Sequence, residues 1–401
     1  MFNNSTKIIV VISVIIIFNL FVYFSFAPEY SADSLRYVFA GKQLLENFFH
    51  SLNEPLFNEE TYENAEFHKN TDYSFPKREF FTIIPNLIFY CLSIISVDSL
   101  KYLIIVNLVL FSSLFLICNK IYNDEKNEIK FLFLSFIFFG HYQIVGWNIK
   151  ILPEIMYIFC LVLFLIYLIK FKYFNFTKIL ILLFLSILIF LIRPQGLIFI
   201  GFVLFYLIFK NFFYKNIYKT FFILFLVSFF LVPFVLYLEF NKIFNFPIIN
   251  IQNTGFENGA VISGWLNYFN GELIYQDVRF NDKKLNLEQK FSYLDILKIT
   301  SLRLYHFINP YKFYYSPIIN LWNIIYFGLL YAVGIYYFLV SKDLFKKNQF
   351  IALLIMIMLF HIIFPVTGTF RYQLSLIAVN FVLIFETLAL VIKKKNDEKI
   401  F

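Results

Sequence analysis

The sequence predicts an all-α, polytopic membrane protein: a bundle of about ten transmembrane helices with two external loops, built as a single membrane domain. Three observations lead there. Of 401 residues, 60% are hydrophobic and 22% aromatic, with 59 Phe and 28 Tyr, while only 15% are charged; soluble chains carry roughly 25% charge. The 26 acids and 34 bases sit almost wholly between long apolar runs, so they cannot cover a water-soluble core. Many of the runs approach the ~20 residues that cross a hydrocarbon layer. Cys91, Cys118 and Cys160 all lie inside apolar stretches, with no paired spacing and no C-x-x-C, which argues against a disulfide scaffold or a zinc knuckle. The net charge of +8 does not mark a nucleic-acid binder, because the bases are scattered through short inter-helix turns instead of gathered on one face.

Taken in order, the apolar runs are 8–27, 80–97, 100–118, 131–147, 151–169, 179–192, 197–209, 220–240, 318–340, 350–366 and 372–392, eleven in all. The first precedes Ala27-Pro28-Glu29-Tyr30; its apolar part is too long for a signal peptide and no small-x-small cleavage site follows, so a retained helix is expected. Lys and Arg accumulate on the cytoplasmic side. That rule puts Lys170, Lys172 and Lys178 inside, with Lys210, Lys215 and Lys219, Lys342, Lys346 and Lys347, and the tail Lys393-Lys394-Lys395. The loop 28–79, with ten acids and five bases, belongs outside, and 241–317, with eight bases and six acids, lies outside by alternation. Eleven crossings contradict this pattern, since strict alternation from the tail would bring 28–79 inside. One run before residue 241 therefore fails to cross. Either 80–97, short and carrying Pro85, is re-entrant or interfacial, or 179–209 is one long element bent at Arg193-Pro194-Gln195-Gly196.

Because an ionised group in hydrocarbon costs at least about 2.5 kcal/mol, the few ionisable residues near helix ends carry the functional information. Asp33 follows the first run and opens a stretch, 33–46, that reads as an amphipathic surface helix with Leu35, Tyr37, Val38, Phe39, Leu44 and Leu45 apolar. It serves equally as an N-cap and as a general base at the outer lipid boundary. Glu154, after Pro153, opens a helix where its charge complements the dipole; Lys150 four residues earlier allows a local ion pair. Arg193, between two wholly apolar runs, is suited to an anionic headgroup or to snorkelling at the interface. His361 and Arg371-Tyr372 flank the turn between the last two helices, where Arg371 offers a second phosphate ligand and the lone His reads as structural. Lys77 and Arg78 close the first external loop, either solvated or neutralising a phosphate. There is no H-E-x-x-H, Walker loop, dinucleotide fingerprint or G-x-S-x-G elbow.

In this order of features the chain resembles the GT-C superfamily of membrane glycosyltransferases, which includes protein O-mannosyltransferases and aminoarabinose transferases. The resemblance rests on Asp33 with Tyr37 behind it, the Pro76-Lys77-Arg78-Glu79-Phe80 stretch, Pro153-Glu154, Arg193-Pro194-Gln195-Gly196 and Arg371-Tyr372, and runs from about residue 8 to about 390. It implies a GT-C-like bundle in a bacterial inner membrane that passes a sugar, with inversion, from a polyprenyl-phosphate donor to a lipid, glycan or protein acceptor on the periplasmic side. Asp33 would be the general base, Glu154 would assist acceptor or metal binding, and Lys77, Arg78, Arg193 and Arg371 would hold the departing phosphate, with Tyr37, Gln195, His361 and Tyr372 in support. No cofactor is implied beyond a divalent metal, left open because Asp33 lacks the neighbouring acid of some relatives.

Two other readings compete. An O-antigen-type polymerase or ligase would rely on arginines of the late loop, Arg279 and Arg303, but leaves Asp33 and Arg193 unexplained. A lipid or sugar transporter would show two related halves with broken helices and mid-membrane charges.

Overall fold

Nine of the eleven apolar runs fall on described residues, and each is helical. The structure, a computed structural model, describes residues 37–38, 41–42, 45, 82–96, 100, 102–122, 153–170, 176–209, 213, 218–240, 260–263, 266–269, 272–275, 291–313, 315–364, 366–367 and 373–397. The runs 8–27 and 131–147 lie outside them. The chain divides into two compact units, one of residues 1–112, 146–157 and 187–196, the other of 113–145, 158–186 and 197–401.

In the first unit, Tyr37, Val38, Gly41, Lys42 and Leu45 are helical, as the amphipathic pattern predicts. They meet helix α1 (Ile83–Ile95): Tyr37 packs edge-on against Phe89 with ring centroids 5.0 Å apart. Gly41 allows the approach, since a Cβ there would lie 2.1 Å from the Asn86 carbonyl oxygen and 2.6 Å from Tyr90 Cβ. Helix α2 (Tyr102–Tyr122) follows in the chain, then α3 (Glu154–Lys170) and α4 (Phe176–Ile192), each of which belongs partly to the first unit and partly to the second. After α4 comes a 3-10 turn, Pro194–Gly196, and α5 (Leu197–Phe209) starts at once. The proline ends α4 because it has no N–H for the ladder. The bend expected at 193–196 is therefore a real break. At 1.5 Å per residue, the 13 residues of α1 and the 13 of α5 each span roughly 20 Å, short of a ~30 Å hydrocarbon core. Of the two places suspected, the run 80–97 is thus short, and the stretch 179–209 is divided between α4 and α5 at the turn.

The second unit holds the long helices α6 (Tyr218–Phe240), α8 (Pro317–Val340), α9 (Leu344–Ile363) and α10 (Leu374–Asp397), with α7 (Tyr293–Ile308) before α8. Among the described residues, four stretches are long and apolar enough to cross a membrane: Thr220–Leu238, Pro317–Val340, Leu344–Ile363 and Leu374–Val391. Each start has a sequence cause. Ser292 and Asp295 form a reciprocal capping box on α7, Ser316 caps α8 with Pro317 in its first turn, and the Asp343 carboxylate accepts from Lys346 N–H at the start of α9. α10 is the central element, buried almost continuously from Leu374 to Thr387, and packs most extensively on α8. Gly334 of α8 admits the Asn380 side chain, whose Oδ1 would lie 3.4 Å from an added Cβ. Exposed apolar side chains on α6, among them Phe222, Ile223, Val227 and Leu231, present a lipid-compatible surface.

The described residues are mostly helical, consistent with the all-α expectation, and this unit adds one small sheet that the sequence reading did not contain. Residues 260–275, read as external loop, form strands β1 (Ala260–Ser263), β2 (Leu266–Phe269) and β3 (Glu272–Tyr275), joined by β4 (Val366–Thr367) in a four-stranded sheet ordered β3-β2-β1-β4. β1–β2 and β2–β3 are antiparallel, while β4 lies parallel to β1, pairing Ile262 with Val366. The physical reason is a chain of two-residue connections between short apolar stretches. Asn270-Gly271 between Phe269 and Glu272 is the strongest short hairpin signal a sequence offers. Val261, Leu266 and Tyr268 are buried with Leu236 of α6 and Ile296 and Ile299 of α7, a small core beneath the sheet. Because β1 and β4 bracket the α8–α9 hairpin, residues 260–275 and 366–367 lie at one end of it; the basic turn 342–347 lies at the other, where Lys346 Nζ meets Glu386 Oε2 of α10 at 2.5 Å.

Candidate functional site

Three of the residues singled out in the sequence come together in the first unit. Glu154 is the first residue of α3 and is wholly buried; Arg193, the last residue before the Pro194–Gly196 turn, is 7% exposed. The guanidinium Nη2 of Arg193 donates to Glu154 Oε1 across 39 positions of sequence. The local geometry fixes the cation. Arg193 N–H closes the last turn of α4 on Ile189 O at 2.9 Å, and Gly196 N–H returns to Arg193 O at 2.9 Å. The turn passes so close to α4 that a Cβ on Gly196 would lie 2.2 Å from Phe190 N, so no other residue fits without moving backbone. The Tyr157 ring, one turn into α3, has its centroid 6.0 Å from the guanidinium carbon, at the outer reach of a cation–π contact.

The pair is charge-neutral but not saturated. Among the described residues, Arg193 Nε–H finds no acceptor, and Gln195 Oε1, on a side chain 3% exposed, finds no donor. Two unmet polar groups of opposite sense therefore sit two positions apart in sequence, one just before the turn and one within it, where an unsatisfied buried group costs about 1–3 kcal/mol. Such a place suits a ligand or water with both donor and acceptor capacity.

The other named residues distribute as follows. Tyr37 is packed on Phe89. His361, at the end of α9 in the second unit, is fully buried and stacked on Phe307 with centroids 4.0 Å apart and planes 20° from parallel, a packing role. Asp33, Lys77, Arg78, Arg371 and Tyr372 lie outside the described residues, as does Arg279. A divalent metal was left open by the sequence. Glu154 does not fit one: its carboxylate is engaged by a guanidinium whose charge opposes a second cation. Among the described residues no group of three or more His, Cys, Asp or Glu side chains is placed to hold an ion.

The most thoroughly engaged arginine among the described residues is one that the sequence reading offered only to the polymerase alternative. Arg303, in α7 and fully buried, donates through Nε and Nη2 to Ala260 O at 2.8 and 2.6 Å and through Nη1 to Ile363 O and Ile362 O. It joins β1 to the end of α9, and burial lowers its pKa to about 9. A guanidinium bound in this way to backbone carbonyls has little left for a substrate, which weakens the polymerase reading that needed it. The end of α7 is equally closed: Gln373 Nε2 donates to Phe307 O, Lys312 Nζ to His306 O, and Tyr331 OH to Ile308 O at 2.8 Å. Asn320 holds Lys312 from both sides, accepting its N–H and donating to its carbonyl, each at 2.8 Å.

No protein-family model matches the chain, and neither a curated protein nor a solved structure matches it.

Proposed function

We propose that the protein is an inverting membrane glycosyltransferase that moves a sugar from a polyprenyl-phosphate donor to a lipid, glycan or protein acceptor. The observation that carries the reading is the buried Glu154–Arg193 pair with Gln195 beside it. The resemblance to GT-C enzymes picked out Pro153-Glu154 and Arg193-Pro194-Gln195-Gly196 separately, and both fall in one polar cluster. In this proposal about ten helices cross a bacterial inner membrane, and the positive-inside rule sets the basic turn 342–347 in the cytoplasm and the sheet outside.

The chemistry needs one base and a few cations. The Asp33 carboxylate takes the proton of an acceptor hydroxyl as its oxygen attacks the anomeric carbon from the face opposite the phosphate. The bond from that carbon to the phosphate oxygen breaks, and polyprenyl phosphate leaves with the electron pair. Lys77, Arg78 and Arg371 neutralise the phosphate as it departs, while the Glu154–Arg193 pair lines the site. The test is Asp33→Asn in purified protein given radiolabelled polyprenyl-phosphate sugars. Transfer is expected to fall by at least about a hundredfold, the contribution of a positioned base. Transfer at the wild-type rate would remove Asp33 from the mechanism, and a wild type inactive with every donor would overturn the enzyme reading itself.

A further inference from the structure

We infer that the Arg193–Gln195 turn reads a hydroxyl of the sugar and does not hold the lipid phosphate, an inference that rests on the glycosyltransferase reading. Arg193 reaches its site already paired with the carboxylate of Glu154. A second anion would be drawn by the guanidinium and repelled by the carboxylate, and it would still bear the cost of leaving water. What the turn leaves unmet is one N–H, Arg193 Nε, and one acceptor, Gln195 Oε1, the latter on a side chain 3% exposed. A hydroxyl is the smallest group that answers both, accepting from Nε–H and donating to Oε1. Phosphate monoesters at neutral pH offer acceptors almost alone and leave Gln195 Oε1 without a donor.

The fixed backbone supports recognition of a neutral ligand. Gly196 locks the turn against α4, and Glu154 locks the guanidinium at the start of α3, so both hydrogen-bonding atoms are held before any ligand arrives. A site that hydrogen-bonds a substrate hydroxyl also rejects an analogue lacking it, because its own polar groups are then buried unpaired. The turn would thus help choose which sugar is transferred.

The experiment compares binding of undecaprenyl phosphate with binding of undecaprenyl-phosphate-linked hexoses and pentoses, using the full chain in lipid nanodiscs, wild type and Gln195→Met. The methionine keeps the side-chain length and removes the acceptor. Affinity for the best sugar-bearing lipid should fall about threefold to tenfold, the size of one hydrogen bond between neutral groups, with affinity for undecaprenyl phosphate unchanged. A second measurement does not depend on the variant folding: among singly deoxygenated forms of that sugar, one should bind wild type weaker by the same factor. Equal loss on both lipids would make the turn a phosphate ligand. Loss on neither, or uniform tolerance of every deoxy form, would remove it from the ligand altogether. A wild type that binds the sugar-free and sugar-bearing lipids equally overturns this inference and leaves the glycosyltransferase reading standing, whereas one that binds neither overturns that reading as well.

Discussion

Substituting one member of the Glu154–Arg193 pair should cost far more than substituting both. The two side chains are 0% and 8% exposed, so solvent screening, which reduces surface pairs to about 0–1 kcal/mol, is largely absent. Glu154→Met leaves a buried guanidinium facing only the Tyr157 ring, and Arg193→Met leaves a buried carboxylate; each should destabilise the protein by about 3–5 kcal/mol. With both replaced, neither charge of the pair remains to be left unmatched, and methionines of similar reach refill much of the space. The double variant should then sit at least ~2 kcal/mol above the sum of the single losses, a coupling outside the scatter of independent sites. The assay is chemical unfolding of the four proteins in one detergent, followed by tryptophan fluorescence. Strict additivity, or single variants within about 0.5 kcal/mol of wild type, would refute the claim that this is a desolvated, mutually dependent pair.

Three more expectations follow from particular contacts. Arg303→Lys keeps the charge but loses the planar fork that reaches Ala260 O and Ile363 O together; it should destabilise by about 2–4 kcal/mol and raise amide exchange in Ala260–Ser263, and unchanged exchange there would show that β1 does not depend on the guanidinium. Gly196→Ala should fail to accumulate or lose more than about 2 kcal/mol, its Cβ meeting Phe190 backbone, whereas Gly328→Ala in α8, with nothing within 4 Å, should be neutral or stabilising by up to about 1 kcal/mol; similar melting of the two would contradict the turn geometry. Burial pushes the Lys312 ammonium from 10.5 down to about 7, so the unfolded chain binds the extra proton between about pH 7 and 10.5 and stability should rise with pH across that window, by up to about 1.4 kcal/mol per unit. His306, lowered to about 4 by burial and then by Lys312, adds a rise of the same sign between about pH 4 and 6.5. Melting curves of Lys312→Met should be flatter above pH 7 than those of wild type, and parallel slopes would refute the assignment.

The helices were legible because apolar runs in a charge-poor chain have few alternatives, and the described ends fall within a few residues of the runs, except at α9, which begins six residues early because Asp343 caps it. The sheet was not read, although Asn270-Gly271 was in plain view. Its strands are two to four residues long and built largely of the apolar and aromatic residues that fill the helices, so composition offered no contrast. Glu154 and Arg193 were each visible as rare charges at helix ends, but their partnership was not. Sequence reasoning reaches neighbours at helical spacing, and Lys150 was the local candidate for Glu154. Arg303 lies among Thr300, Ser301 and Leu302, a pattern that resembles a solvated helix face until β1 and the end of α9 close over it.

The parallel pairing of β1 with β4 imposes an order on biogenesis. Residues are made from the amino end, so Ile262 waits for Val366, roughly a hundred positions later, before the fourth strand exists. Both α8 and α9 must first be made and folded as a hairpin, because only then do the Val366 backbone and the Ile363 carbonyl return to the end where β1 and Arg303 stand. Until that moment the strand edge is open and the guanidinium lacks two of its carbonyl partners. The two residues Val366–Thr367 are thus the last piece of the sheet to arrive, and the edge of β1 is closed only by a chain that has already completed the α8–α9 hairpin.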